Sequence, residues 1–432
     1  MRSKKPSIAL IFGGMGQEHE ISRSGAPYLY SLLDKEKYNV IPLLIERDGI
    51  MTSSAISDSG EITEGDTAAH LFRMFGRGGV IIDGDFTPLA AAIPLLHGDY
   101  GEDGTVQGAL TTVGVPYIGC DGFAGTVCLD KIFTKIIAEH LGIPVAKYRY
   151  FTASGSPTAT PAESTRKAYC VDEKATASNG NLSASEPRYS DSGTKSSTLY
   201  DCCTESTRKA YCVGEKATAS NDNSSASEPR YSDSNENSQC FDAQAAATDI
   251  EAHLSYPVIV KPARLGSSVG ISTAENRESL ISALNLAYGS GGGRILCEEF
   301  LPVLCEAECA CLFIGNERIF TSPGTVCTDG GFYDYQRKYS GVGGAKVSAD
   351  SAISESQIEL IKEYSRAIAD FVGVRHLSRI DFFITRDGRI IFNEINTFPG
   401  FTSGSLYPKL IEAAGVTPAE AISRMLSEVC KA

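Results

Sequence analysis

An α/β region followed by two α+β regions is the architecture this sequence predicts, on three features. Short β-branched strands alternate with amphipathic helices over residues 1–124, the pattern of a parallel, Rossmann-like sheet. Beyond that point strands and longer helices follow in a less regular order, through residues 125–296 and then 297–432. Between them, a tandem duplication poor in large apolar side chains interrupts the second region.

The first region opens with "SIALIFGG" as a strand and "EISRSGAPYLYSLLDKE" as a helix. "YNVIPLLIE" and "AAIPLLHG" read as strands, "GTVQGALTTVG" as a helix and "VPYIGC" as a further strand. A parallel sheet places its ligand crevice at the carboxyl ends of its strands, where Gly13-Gly14 and "HGDYGEDGT" (97–105) lie. The glycines do not complete a dinucleotide fingerprint, because His19 stands where the third Gly belongs. The second region begins with "GTVCLDKIFTKIIAEHLG" as one amphipathic helix and contains "GIPVAKYRYF" and "YPVIVKPARLGSSVG" on either side of the duplication. The third holds several strands, the helix "SESQIELIKEYSRAIADFVG", a hairpin at 379–396 and the final helix "TPAEAISRMLSEV".

Residues 163–192 recur at 205–234, differing only at positions 172/214, 180/222 and 182/224. These copies are rich in Ser, Thr, Ala, Asn and Glu, so the apolar surface they can bury does not offset the entropy of ordering them. Residues 157–248 are therefore expected to be a disordered, dispensable insert in a surface loop, where added length costs little.

The net charge of −14 argues against a nucleic-acid partner, which needs a basic face. No apolar run approaches the roughly 20 residues that span a bilayer. The apolar run after "MRSKKP" is too short for a signal-peptide core, so the expected location is the cytoplasm. Among the 13 cysteines, Cys305, Cys309 and Cys311 fall at alternating positions of "CEAECAC" with no His at zinc-ligand spacing. They are expected to be reduced thiols packed as small hydrophobes.

The chemistry concentrates in "RIDFFITRDGRIIFNEIN" (379–396). Asp387-Gly388 is the signal for a two-residue hairpin loop, which sets Arg386 opposite Arg389, Asp381 opposite Glu394 and Arg379 opposite Asn396. All four site groups then project from one face. Opposed carboxylates repel, so a cation belongs between them, and two carboxylates with an amide oxygen suit Mg²⁺. The competing reading is a solvated acidic face with Arg379 as an ion-pair partner. In "KPARLGSSVG" a Lys precedes a Gly/Ser loop whose backbone N–H groups, Gly266 to Val269, form a candidate anion nest with Lys261 as its point charge. "GFYDYQRKYS" (331–340) reads as a loop that closes over a phosphate.

"EHEIS", "HGDYGEDGTVQG", "KPARLGSSVG", "FYDYQRKY", "SRIDFFI" and "FNEINTFPGFTSGS" together resemble the D-alanine–D-alanine ligases, in order and approximate spacing. The resemblance covers 1–156 and 249–432 and implies an ATP-grasp fold behind the α/β first region. It implies ATP as co-substrate and Asp381, Glu394 and Asn396 as ligands of two Mg²⁺ ions, with Mn²⁺ as a substitute. It sets Lys131, Lys261 and Lys338 on the ATP phosphates with Ser268 in the same ATP loop, Glu298 at the adenine amino group and Glu306 at the ribose. "FLPVLCEAE" carries one extra residue before Glu306. Glu18, with Ser267 and Tyr339, would anchor the first D-alanine beside His97. Arg379 and the Gly400 N–H would hold the oxyanion, and Ser405 the second substrate's carboxylate. A phenol at position 339 goes with an amine nucleophile, hence a peptide product. The implied assembly is a homodimer. D-serine as second substrate, another ATP-grasp carboxylate–amine ligase and a catalytically silent nucleotide-binding protein are the alternatives.

Overall fold

The computed structural model describes residues 5–152, 241–290, 293–327, 346–348 and 353–431. The first strand, Ser7–Gly13, is buried along its whole length, as a continuous apolar run in the middle of a sheet must be. It pairs in parallel with Asn39–Ile45 on one side and Asp85–Leu95 on the other. The parallel character expected of this sheet holds for those three strands. The sheet is mixed because Met51–Ser53 adds antiparallel at one edge, and Ala69–Met74 and Arg77–Ile82 add antiparallel at the other. Two-residue loops join that second edge: Phe75-Gly76 and Asp83-Gly84 all have positive φ, the left-handed geometry of tight hairpins. "VPYIGC", expected as a strand, makes only an isolated bridge from Tyr117 to Ala92.

The helix expected across 125–142 is two helices, Gly122–Leu129 and Lys131–His140. Asp130 breaks it: its backbone is extended, and its carboxylate accepts the Ile132 N–H at 3.0 Å. A fully buried carboxylate needs such partners, and Arg264 Nε supplies another at 3.0 Å.

A four-stranded antiparallel sheet follows, in the order Ser272–Ala274, Val258–Pro262, Ile295–Glu299, Tyr148–Phe151. The helices Ala243–His253 and Arg277–Ser290 cover it, burying Ala246, Ala247, Ile250, Leu280 and Leu284 against Phe151 and Val260. The insert expected over 157–248 is corrected at its end. Asp242 caps the first of these helices, accepting the Gln244 and Ala245 N–H groups, and the helix's small apolar side chains are core. The duplicated segments themselves lie outside the described residues.

The last sheet is centred on Val303–Ile314, which pairs antiparallel with Leu377–Thr385, and that strand in turn with Ile390–Asn396. Cys305, Cys309 and Cys311 face the core, while Glu306 and Glu308 alternate onto the other face. Glu355–Val372 packs over the core face; Ser354 and Gln357 form a capping box at its start, and Gly373 ends it with φ +75. Among the described residues, no helix is long and apolar enough to cross a membrane.

Candidate active site

The 379–396 hairpin presents its polar groups as its strand alternation requires. Asp381 lies opposite Glu394, and Arg379 opposite Asn396. The loop is not the expected two-residue turn. Thr385 N–H donates to Arg389 O at 3.0 Å and Gly388 N–H to Thr385 O at 2.9 Å, so three residues, 386–388, close it. The resulting one-residue offset is cancelled by a bulge, since Phe382 pairs with Phe392 while Asp381 pairs with Glu394. Asn393 is the extra residue.

Arg379 donates to both Asp381 oxygens, Nε at 2.8 Å and Nη2 at 2.7 Å, and its Nε also lies 3.0 Å from Glu308 Oε2. Asn396 Nδ2 donates to Asp381 Oδ2 at 3.0 Å. Lys131 Nζ sits 3.2 Å from Glu394 Oε2 and donates to Leu265 O at 2.8 Å. Its own N–H donates to Ala263 O at 2.9 Å, so the start of the Lys131–His140 helix is docked on the loop that follows Lys261. Two carboxylates and an amide form a hard-oxygen donor set, the kind a divalent Mg²⁺ or Mn²⁺ accepts, and here Arg379 and Lys131 offset their charge. The residues present therefore fit such an ion.

Glu298 is buried in the middle of the four-stranded sheet, its two oxygens taken by Lys135 and Lys261. Burial pushes its carboxyl upward, but the ammoniums of Lys135 and Lys261 outweigh that and hold it down to about 2. Glu298, expected at a base amino group, is thus the counter-ion of Lys261 here. Glu306 stands two positions before Glu308 on the same strand face, opposite Phe383.

The loop after Lys261 carries Ser267 and Ser268 with φ of +50 and +60. This left-handed pair aims the Ser267 hydroxyl at Glu18, to which it donates. Glu18 is at the N-cap of the His19–Leu32 helix. Its carboxylate is enclosed by Gly98 (φ +64) and Gly266; a Cβ at either would meet it and make it shift. His97 is buried, with Nδ1 hydrogen bonded to Phe398 O at 3.0 Å. Ser405 is the N-cap of Leu406–Ala413; its Oγ accepts the Thr402 N–H at 3.0 Å and lies close to Gly400. A helix N-terminus favours a carboxylate at that point.

The structure thus brings Glu18 with Ser267, Lys261 with Glu298, Lys131 with Glu394, and Arg379 with Asp381 and Asn396. Lys338 and Tyr339 lie outside the described residues. Three groups escaped the reading of the sequence. Lys135 carries a signal, since it falls four residues after Lys131 on one helix face. Glu308 was legible as the strand-face neighbour of Glu306. Glu102 is buried; burial raises its carboxyl, which His97 opposes and Glu18 reinforces.

Known proteins match throughout. Residues 7–120 match the family model described as D-ala D-ala ligase N-terminus, and residues 230–427 the D-ala D-ala ligase C-terminus. The D-alanine–D-alanine ligase of Ruminiclostridium cellulolyticum is 30% identical over 447 residues, covering 98% of this chain and 94% of that protein. That of Caldicellulosiruptor bescii is 30% identical over 437 residues, again covering 98% and 94%. The structure of D-alanyl-alanine synthetase A from Vibrio cholerae superposes with a TM-score of 0.69 at 24% identity, covering 100% of both chains. The D-Ala:D-Ser ligase VanG from Enterococcus faecalis gives 0.68 at 24%, covering 99% of this chain and 100% of its own. The fold is the ATP-grasp fold behind a mixed α/β first sheet, and the chain belongs to the D-alanine–D-alanine ligase family.

Proposed function

We propose that this chain joins two D-alanines at the expense of ATP, giving D-alanyl-D-alanine, ADP and phosphate for peptidoglycan precursor synthesis. One observation carries the reading. The Lys131 ammonium reaches both the loop after Lys261 and the Glu394 carboxylate, so a phosphate-binding loop and a metal-binding hairpin share one cation. A triphosphate between them would lie within reach of both.

Asp381, Glu394 and Asn396 would hold two Mg²⁺ ions, or Mn²⁺ in their place, which when bound offset the triphosphate's negative charge. Lys131 and Lys261, with Lys338, take the phosphates within reach of the Ser268 loop; Glu298 and Glu306 face the adenosine. When Lys261 turns to a phosphate, Lys135 remains to neutralise Glu298. Glu18, with Ser267 and Tyr339, takes the ammonium of the first D-alanine beside His97. That substrate's carboxylate oxygen attacks the γ-phosphorus, the bond to the ADP oxygen breaks, and an acylphosphate forms. The amine of the second D-alanine, its carboxylate at Ser405, then attacks the acyl carbon. Arg379 and the Gly400 N–H stabilise the oxyanion, collapse expels phosphate, and the attacking nitrogen gives up its proton to the departing phosphate or to water.

The proposal includes the three-part division at 124 and 296, a homodimer and a cytoplasmic location, without a nucleic-acid partner for so acidic a chain. The test is ADP release with ATP and D-alanine, alone and in competition with D-serine and D-lactate, with products identified by mass. D-alanyl-D-alanine as the main product is expected. ADP release only with another amino acid would move the assignment to a different carboxylate–amine ligase; ATP binding with no turnover would mark a silent relative.

A further inference from the structure

Glu102 has no role in the chemistry above, yet two substrate-side loops meet on its carboxylate. It is 8% exposed and sits in the turn that follows His97. Its Oε2 accepts the Gly98 N–H at 3.1 Å. Its Oε1 accepts the Phe398 N–H at 2.9 Å and faces the Thr397 hydroxyl at 3.4 Å. The Phe398 carbonyl is held in turn by His97 Nδ1 at 3.0 Å. Both polar groups of Phe398 are therefore tied to the 97–102 turn, one through Glu102 and one through His97. Gly98 closes on Glu18, and Gly400 lies two residues beyond Phe398. The turn is itself braced, since Gln107 Nε2 donates to Gly101 O at 2.6 Å.

We infer that Glu102 is a positioning residue for the ligation, fixing the Thr397–Gly400 loop against the pocket made by Glu18, Gly98 and His97. The inference rests on the function proposed above, because it assigns the two loops to the first substrate and the oxyanion. The chemistry needs a carboxylate at this point. An ionised carboxylate is an acceptor at every lone pair, so it receives three donors from two segments without presenting one of its own. An amide turns an N–H against at least one of them, and a methyl group leaves all three buried donors unpaired.

The test compares wild type, Glu102→Gln and Glu102→Ala in steady-state ADP release, varying D-alanine and ATP separately. Hydrogen exchange of peptides spanning 96–102, 396–401 and 258–299 is measured alongside. Glu102→Gln should raise the D-alanine KM roughly tenfold and lower kcat, with the ATP KM within about twofold, the alanine variant being worse. Exchange should quicken at 396–401 and not at 258–299. Kinetic constants that do not change, or D-alanine and ATP constants that rise together with exchange quickening everywhere, would overturn the assignment. Should the wild type prove inactive with D-alanine, the substrate reading falls, and the exchange pattern still decides whether Glu102 ties the two loops.

Discussion

Lys135→Met removes a cation from the interior of the four-stranded sheet, and its consequence can be worked from the geometry. The Lys135 side chain is 1% exposed and Glu298, its partner, 5%. The Glu298 carboxyl is held at about 2 against an ordinary 4.5, although its burial alone would push it the other way. The two lysines together outweigh that burial, Lys135 with the larger pull, while burial lowers the Lys135 ammonium's own pKa. Removing one partner of a buried pair typically costs about 3–5 kcal/mol, and Lys261 remains to soften the loss. We expect about 2–3 kcal/mol of destabilisation at neutral pH. The sign of its pH dependence follows from linkage. A carboxyl depressed in the folded state contributes stability that is complete above its unfolded value near 4.5 and is lost as pH falls toward about 2. The gap between wild type and Lys135→Met should therefore be full from pH 7 to about 5 and shrink steadily toward pH 3. Lys135 also lies 5.9 Å from the Tyr148 ring centroid, a packing contact whose loss does not vary over that range. Denaturant midpoints and melting temperatures of both proteins at pH 7, 5, 4 and 3 separate the two parts. A gap that stays constant from pH 7 to pH 3 would refute the electrostatic argument.

Two further outcomes are expected. Arg379→Ala should lower turnover by roughly 10²–10³, the cost of one oxyanion donor, and wild-type-like turnover in coupled ADP release would remove Arg379 from the mechanism. Deleting 163–234, the two duplicated copies and the stretch between them, should leave turnover within a few-fold. Extending the deletion to 157–248 should abolish it by taking Ala243, Ala246 and Ala247 out of a core that contains Phe151 and Ile250, and equal activity of the two deletions would contradict that packing.

Much of the fold was legible because local periodicity and burial agree. The amphipathic stretch after Thr417 and the one after Ser354 are helices starting where their caps predict. What stayed hidden was decided by partners remote in sequence. The break at Asp130 combines a local cap on the Ile132 N–H with a carboxylate buried against Arg264, 134 positions away. The Ala69–Met74 and Arg77–Ile82 strands are a different failure. Asp83-Gly84 is the same turn signal that was read at Asp387-Gly388, and it went unread among the glycines around it. The candidate site followed a similar division. Motif order located Glu18, Lys261 and the hairpin, whereas Glu102 and Lys135 acquire meaning only from Phe398 and Glu298.

The hairpin separates a correct register from a correct reason for it. A two-residue loop at Asp387-Gly388 would pair residues summing to a constant all along the ladder, and Asp381 would meet Glu394 with no irregularity. The molecule instead spends a third residue in the loop, and by itself that shift would set Asp381 against Asn393. Because side chains alternate, a one-residue slip would send Glu394 and Asn396 to the core face, among Ile380, Phe382 and Phe392, and turn Ile395 out of it. Two charged or polar groups without partners there would cost more than any turn preference returns. The bulge at Asn393 removes the conflict: Phe392 and Ile395 stay in the core while Glu394 reaches Lys131 and Asn396 reaches Asp381. The pairing of acidic groups is therefore set by which face is apolar, and the loop and the bulge are adjusted to it.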